Sequence, residues 1–106
     1  MSEPEVQELA ANIFLDAAQY IREYGWQVEG MGREGEARCS MGALASAYPK
    51  PKWDKELSDL MYLSLYKELR DISLTRFNHT YKSGEKVARL YEHVASRLRT
   101  KLTLFR

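Results

Sequence analysis

The sequence predicts an all-α fold: a compact four-helix domain with three longer helices, one short helix and no significant sheet. Apolar residues recur at steps of three and four over three long stretches, and no stretch of any length shows the alternation of a strand. A chain of 106 residues is long enough for one hydrophobic core but not for two. We therefore expect a single helical domain over residues 1–106.

The first helix is predicted over about residues 3–24. Ser2 and Glu5 have the spacing of a capping box, Pro4 is tolerated in a first turn, and Gly25 is well placed to end the helix in a left-handed conformation. The apolar stripe consists of Val6, Leu9, Ala10, Ile13, Phe14, Ala17, Ile21 and Tyr24. Such spacing is typical of a helix that buries one face.

A loop and a short helix are predicted next. Three glycines between residues 30 and 35 indicate a loop with much backbone freedom. Cys39–Tyr48 is rich in small residues and is followed by Pro49 and Pro51, which predict the end of a short helix. We expect its small side chains to face other helices.

The third helix is predicted from Asp54, a good N-cap, to about Ile72. Its apolar stripe consists of Leu57, Leu60, Met61, Leu65, Leu69 and Ile72. Tyr62, Leu63 and Tyr66 widen the apolar surface beyond one stripe, so the helix is either central in the fold or contacts another chain. We favour central burial; on the surface, these three residues are the candidate protein interface.

Residues 73–82 are predicted to form a connecting loop, and the last helix is predicted over about 83–101 with Ser83 as its cap. Within the loop, Phe77, Asn78 and His79 are a candidate recognition loop, although we favour Asn78 as a residue that bonds nearby backbone groups. The inward residues of the last helix are Val87, Leu90, Tyr91, Val94, Leu98 and Leu102, and the outward ones are Arg89, His93, Arg97 and Lys101. The first, third and last helices should bury the core.

The charge is distributed unevenly along the chain. Residues 1–36 carry a net charge of −6 and residues 82–106 a net charge of +5, within a total of +1. We favour mutual compensation of the two segments; alternatively, the basic end meets an acidic partner. Arg89, Arg97 and Lys101 are the candidate nucleic-acid contacts, and a solvated face is the favoured interpretation.

Few residues offer catalytic or metal-binding chemistry. Cys39, Asn78 and His79 are the types of a thiol nucleophile, an orienting amide and a base, but a cysteine among small apolar residues is typically a packing residue. With two histidines and one cysteine, no spacing of a metal site is present. We expect no catalytic residue, no metal and no cofactor. One cysteine, no apolar run long enough for a bilayer and an acidic start favour the cytoplasm and no membrane contact.

Two separated features resemble a known family. These are Cys39-x-x-Gly42-Ala43-Leu44 and the Phe77-Asn78 segment ahead of an amphipathic helix. They resemble an uncharacterised group of small domains, a domain of unknown function, from actinobacteria and their phages. Phe77 and His79 stand where Trp and Asp are usual in that group. The resemblance implies a helical fold and an actinobacterial or phage origin, and no activity.

Three functional hypotheses follow. The first is a non-enzymatic protein-interaction module, phage-encoded, that acts on a host protein or as a homodimer through Tyr62, Leu63 and Tyr66. The second is a nucleic-acid accessory protein that uses the basic last helix. The third is a thiol-dependent enzyme built around Cys39.

Overall fold

The computed structural model describes residues 2–48, 54–70 and 72–104, with side chains to residue 100. Within these residues it contains five helices, and the all-α fold is confirmed. The helices are α1 (Glu3–Tyr24), α2 (Ser40–Ala47), α3 (Lys55–Leu69), α4 (Leu74–Tyr81) and α5 (Gly84–Leu104). One isolated bridge, between Trp26 and Arg38, is the extent of β-pairing in the described part of the chain.

The predicted N-caps at Ser2, Asp54 and Ser83 are confirmed. Ser2 Oγ accepts a hydrogen bond from the Glu5 amide; Gly25 does end α1, but with φ 97° and ψ 175° and not in the predicted left-handed conformation. Asp54 accepts from the Leu57 amide at 2.9 Å, and Ser83 accepts from the Lys86 amide at 3.2 Å. These side chains satisfy amides that have no intrahelical partner. The predicted stop at Pro49 and Pro51 lies outside the described residues.

The predicted loop over residues 73–82 is wrong, because most of it forms α4. Ser73 caps this helix by accepting from the Arg76 amide, and Lys82 ends it in a left-handed conformation with φ 46°. The buried side chains of α4 are Leu74 and Asn78, four residues apart. The segment has the polar composition of a loop, and its helix buries a single apolar residue, so the sequence pattern did not indicate a helix.

Helix α3 ends earlier than predicted. Arg70 has φ 59° and ψ −112°, and its amide still donates to the Tyr66 carbonyl oxygen. Helical residues need a negative φ, so the helix ends at Leu69, and Ile72 follows it as a half-buried residue outside the helix. The predicted apolar stripe otherwise holds, with Leu57, Met61, Leu65 and Leu69 buried.

Helix α1 is the central element of the core. It packs against α5 over most of its length and also contacts α2 and α3. The prediction that the first, third and last helices bury the core is confirmed: α1 and α5 form its main pair, and α3 contributes from one side. The aromatic rings of Phe14 and Tyr91 lie 5.4 Å apart in this core, and both residues are fully buried.

The uneven charge is compensated in an unexpected way. Arg22, a basic residue of the acidic N-terminal segment, donates to Glu85 and Glu92, the acidic residues of the basic segment, at 2.9 and 2.6 Å. Arg99 adds a pair with Glu8 at 3.7 Å in the expected sense. The ion pairs between α1 and α5 therefore include a base of the mainly acidic segment and two acids of the mainly basic segment.

Candidate functional site

The segment Cys39-x-x-Gly42-Ala43-Leu44 forms the start of α2 and is largely structural. Ser40, which lies inside it, is fully buried and connects three parts of the fold. Its hydroxyl accepts from Trp26 Nε1 at 3.1 Å and donates to Asn78 Oδ1 at 2.6 Å. Its carbonyl oxygen accepts from the Tyr91 hydroxyl at 2.7 Å. A buried network whose members bond one another holds α2, α4 and α5 in one arrangement.

Burial keeps this network in one protonation state. Desolvation raises the pKa of the Tyr91 hydroxyl far above its ordinary value of 10.0, because the phenolate would lose its hydration in the core. Tyr91 therefore remains a donor over the whole physiological pH range.

The candidate recognition loop is part of helix α4. Asn78 is buried, and its side chain accepts a hydrogen bond from Ser40 of α2. The prediction that Asn78 bonds nearby backbone groups is therefore wrong. Phe77 is half-buried and lies against Tyr81, with ring centres 4.6 Å apart. His79 Nε2 lies 2.8 Å from Glu29 Oε1. The three side chains thus point in different directions.

Cys39, Asn78 and His79 are not joined as a catalytic set. Cys39 Sγ lies 3.9 Å from Met31 Sδ, Asn78 bonds Ser40, and His79 bonds Glu29. In the described part of the chain, no hydrogen bond links any two of the three. The same residues contain no group of three or more His, Cys, Asp or Glu side chains that could hold a metal ion.

Two of the candidate nucleic-acid contacts already have carboxylate partners. Arg89 donates to Glu85 at 3.3 Å and Arg97 donates to Glu68 at 3.1 Å. The side chain of Lys101 lies outside the described residues. These carboxylates offset part of the positive charge on this face of α5.

A large apolar groove lies between α1, α2 and α3, with a volume of about 400 Å³. None of the residues that line it is charged. The lining comprises Phe14 of α1, Met31 of the glycine loop, Met41, Leu44, Ala45 and Tyr48 at α2, and Ser58, Met61, Tyr62 and Leu65 of α3. A volume of this size is typical of sites that take a small molecule or several side chains of a partner.

Tyr62, Leu63 and Tyr66 extend the apolar surface from this groove to the outside of α3. Their exposed fractions are 45%, 61% and 52%, so the central burial that the sequence favoured is wrong for these side chains. Tyr62 lines the groove, and its ring lies nearly parallel to that of Tyr66 with centres 6.2 Å apart. We call these three side chains the α3 stripe. They lie outside the core because α3 packs through the opposite side of the helix.

Three methionines line the groove, two of them exposed to solvent. Met31 is 48% and Met41 37% exposed, whereas Met61 belongs to the core. Unbranched thioether side chains adapt to differently shaped partners at small energetic cost. Exposed methionines in a concave apolar site are therefore typical of a binding surface.

Gly42 allows the glycine loop to reach the groove. A Cβ atom at this position would lie 2.8 Å from the Met31 carbonyl oxygen, closer than real Cβ contacts. Glycine therefore lets the loop backbone rest on α2 and places the Met31 side chain in the groove wall. Gly42 was predicted to face another helix; the close approach exists, but the neighbour is a loop.

Polar side chains hold both walls in place. The Tyr20 hydroxyl donates to the Glu36 carbonyl oxygen at 2.8 Å and accepts from the Gly35 amide at 2.9 Å, which fixes the glycine loop. Arg38 donates to the carbonyl oxygens of Gly32 and Gly42. At the other end, the Tyr48 hydroxyl accepts from the Asp54 amide at 2.9 Å and thereby ties the end of α2 to the start of α3. The groove is preformed.

Sequence reasoning missed the groove but identified one of its edges. Met31, Met41, Leu44 and Met61 lie in a loop and two helices, and nothing in their spacing shows that they meet. The one sequence feature that pointed to the groove was the excess of apolar residues on α3, because Tyr62 belongs to that excess and lines the groove.

Comparison with known proteins identifies the family. Residues 5–99 match the model of a family of unknown function, DUF6197, and the chain belongs to this family. The prediction of an uncharacterised domain family is thereby confirmed, while an origin in actinobacteria or their phages stays a prediction. No curated protein and no solved structure matches the chain significantly. In the described residues, no helix has the length and apolar character to span a bilayer.

Proposed function

We propose that this domain is a non-enzymatic protein-interaction module that binds an amphipathic helix of another protein. The observation that carries the proposal is the continuity of the apolar groove with the exposed α3 stripe. The groove accepts apolar side chains, and the stripe covers the surface beside it. Helices that lay an apolar face into such a groove are a recurring mode of peptide recognition.

The extent of the apolar surface favours a protein over a small molecule. A small ligand in the groove would cover Met31, Met41 and the near side of Tyr62, and would leave Leu63 and Tyr66 in water. Contiguous exposed apolar side chains are costly unless something covers them. A helix spans the groove and reaches the stripe, so it covers both.

The chemistry of the lining favours an apolar binding face with polar edges. No charged side chain lines the groove, and a partner carboxylate or ammonium placed in it would lose its hydration without a counter-charge. The hydroxyls of Tyr62 and Tyr66 remain available at the rim, and tyrosine is enriched among residues that dominate binding energy. The partner helix therefore presents aliphatic or aromatic residues at steps of three and four.

The sequence resemblance adds the biological setting to the proposal. A phage-encoded domain that binds a host protein acts in the host cytoplasm and needs no catalytic group. The partner proposed is accordingly a host protein.

Site-specific photocrosslinking tests the proposal. A photoreactive amino acid replaces Leu63 of the α3 stripe and, as a matched control, Thr75, an exposed residue of α4 that does not line the groove. We expect position 63 to crosslink one protein reproducibly in a host lysate, and position 75 not to crosslink it. The captured protein is then purified and its affinity measured by calorimetry.

Charge substitutions at the same two positions complete the test. Leu63→Arg should weaken binding of the purified partner at least about tenfold, since a buried interfacial charge without a counter-ion costs more than 1.4 kcal/mol. Thr75→Arg adds the same charge and should leave the affinity unchanged. Equal weakening by both substitutions, or no capture at position 63 above position 75, contradicts the proposal.

Sedimentation of the purified domain distinguishes a second copy from a different partner. The proposal predicts a monomer at the concentrations used for crosslinking. A dimer that Leu63→Arg dissociates would show that the occupant is another copy of this chain and would overturn the assignment of a host helix.

A further inference from the structure

A second cavity lies between α3 and α5, apart from the apolar groove, with a volume of about 410 Å³. It shares no lining residue with the groove. Its floor is apolar and formed by Val94 and Leu98, both buried. Its rim is polar, with the side chains of Ser64, Lys67, Glu68, Arg70, Arg97 and Thr100.

The rim carries an excess of two positive charges. Arg97 Nε donates to Glu68 Oε1 at 3.1 Å, and His93 Nε2 lies 2.9 Å from the other carboxylate oxygen; the charges of Arg97 and Glu68 cancel. Lys67 and Arg70 have no carboxylate at ion-pair distance among the described residues. Both side chains are exposed to solvent.

The backbone of Arg70 indicates that its side chain matters. Its φ of 59° lies in the region that glycine occupies without strain and that other residues rarely adopt. A turn after α3 is made most easily by glycine, yet this chain has an arginine there. That choice is explained when the guanidinium contributes something at the cavity rim that glycine could not.

The donors at the rim suit a tetrahedral anion. Arg97 donates to Glu68 through Nε, and its terminal nitrogens form no hydrogen bond within the described residues. Arginine donates two parallel hydrogen bonds to phosphate oxygens, lysine adds a point charge, and Ser64 supplies a hydroxyl. A phosphate monoester carries about −1.5 to −2 charges at neutral pH, which matches the excess of two.

We propose that the cavity between α3 and α5 binds a small organic phosphate monoester. The phosphate lies against Lys67, Arg70 and Arg97, and the organic group packs on Val94 and Leu98. The site neither depends on the proposed protein interaction nor uses its residues, so each can fail without the other.

Phenyl phosphate is the probe, and amide chemical shifts of the ¹⁵N-labelled domain are the readout. We expect saturable shifts at residues 64–70 and 94–100, and weaker binding as salt rises, because screening shortens the reach of the charges. Inorganic phosphate should bind less tightly, since it lacks the apolar group. Benzoate, with a single charge, should also bind less tightly, and phenol should not bind.

Two substitutions of Arg70 separate binding from folding. Arg70→Gln should weaken phenyl phosphate at least about tenfold, the effect of losing a charge-assisted hydrogen bond. Arg76→Gln, the same change at an exposed position of α4, should alter the affinity less than about twofold. Arg70→Gly should weaken binding to the same extent, while it raises the urea midpoint by relieving the positive φ.

Three results would overturn the proposal. The first is the absence of saturable shifts around the cavity. The second is equal loss of affinity in Arg70→Gln and Arg76→Gln, which would reduce the effect to net charge. The third is binding of benzoate or inorganic phosphate as tight as that of phenyl phosphate.

Discussion

On the side of α1 that faces α5, small and aromatic side chains pack without measurable exposure. Ala10, Phe14 and Ala17 of α1, and Ala88 and Tyr91 of α5, are all 0% exposed. On the side that faces α2 and α3, the same helix borders a groove of about 400 Å³. One helix therefore has a closely packed side and an open side, and Phe14 touches both.

The difference teaches how stability and binding are divided in this domain. Interiors packed at crystal-like density resist any change of volume, so the α1–α5 contact fixes the fold. A groove lined by methionine and tyrosine contributes less to folding, and its apolar surface stays available for a partner. The proposed function needs this division, because a surface required for folding could not be exposed in the free protein.

The same substitution on the two sides should have the largest effect and separate them most clearly. Ala88→Leu adds three carbon atoms to the packed side and should lower the free energy of unfolding by about 3 kcal/mol, since overpacking forces strained rotamers. Ala45→Leu adds the same atoms to the groove and should change it by less than about 0.5 kcal/mol. Urea denaturation followed by circular dichroism measures both. Similar losses in the two variants would show that the groove is closed in solution.

Gly42→Ala tests how the open side is built. In most helix interiors this change stabilises by about 0.5–1 kcal/mol, because glycine is the poorer helix former. Here the added Cβ meets the Met31 carbonyl oxygen at 2.8 Å, so the loop must move and we expect a net loss of about 1 kcal/mol. The urea midpoint gives the sign. A stabilised variant would mean that the loop does not rest on α2.

Acid titration tests the exposed ion pairs of Arg22 with Glu85 and Glu92 between α1 and α5, and should show the smallest effect on stability. Hydrogen bonds from Arg22 lower the pKa of Glu85 and of Glu92 below the ordinary value of 4.5. Carboxylates with a lowered folded-state pKa stabilise the protein above the unfolded pKa, and this contribution is lost as the pH falls below about 4.5 through the lowered values.

Because these side chains are exposed, solvent screens the interaction and the contribution is small. Urea unfolding at pH 7, 5, 4 and 3 should therefore show a slightly steeper loss of stability for the wild type than for Arg22→Gln. Identical pH profiles would contradict a role of Arg22 in joining α1 to α5.

The elements of the packed side could be predicted from sequence. The stripes of α1 and α5 repeat over about six turns each, and their caps at Ser2, Gly25 and Ser83 are local signals that tertiary contacts did not override. The short helix α4 was not predicted because its eight residues are too few to show an apolar repeat. Its second buried residue, Asn78, is typical of a loop, and its burial is explained only by its partner Ser40.

The open side could not be predicted in the same way. Periodicity shows that Tyr62, Leu63 and Tyr66 are surplus to one stripe, but burial depends on what packs against α3. The groove needs Met41 of α2 and Met31, and Met31 reaches it through a loop conformation that positive φ values at Gly30 and Gly32 allow. Such contacts arise from tertiary structure alone.

The central claim is that the open side of α1 binds a partner and is dispensable for folding. Ala45→Leu tests binding and stability in one variant, because the larger leucine side chain occupies part of the groove. Photocrosslinking from position 63 is measured in the wild type and in this variant, together with the free energy of unfolding. We predict that crosslinking to the partner falls at least about tenfold while stability stays within about 0.5 kcal/mol. Undiminished crosslinking at unchanged stability would contradict the account.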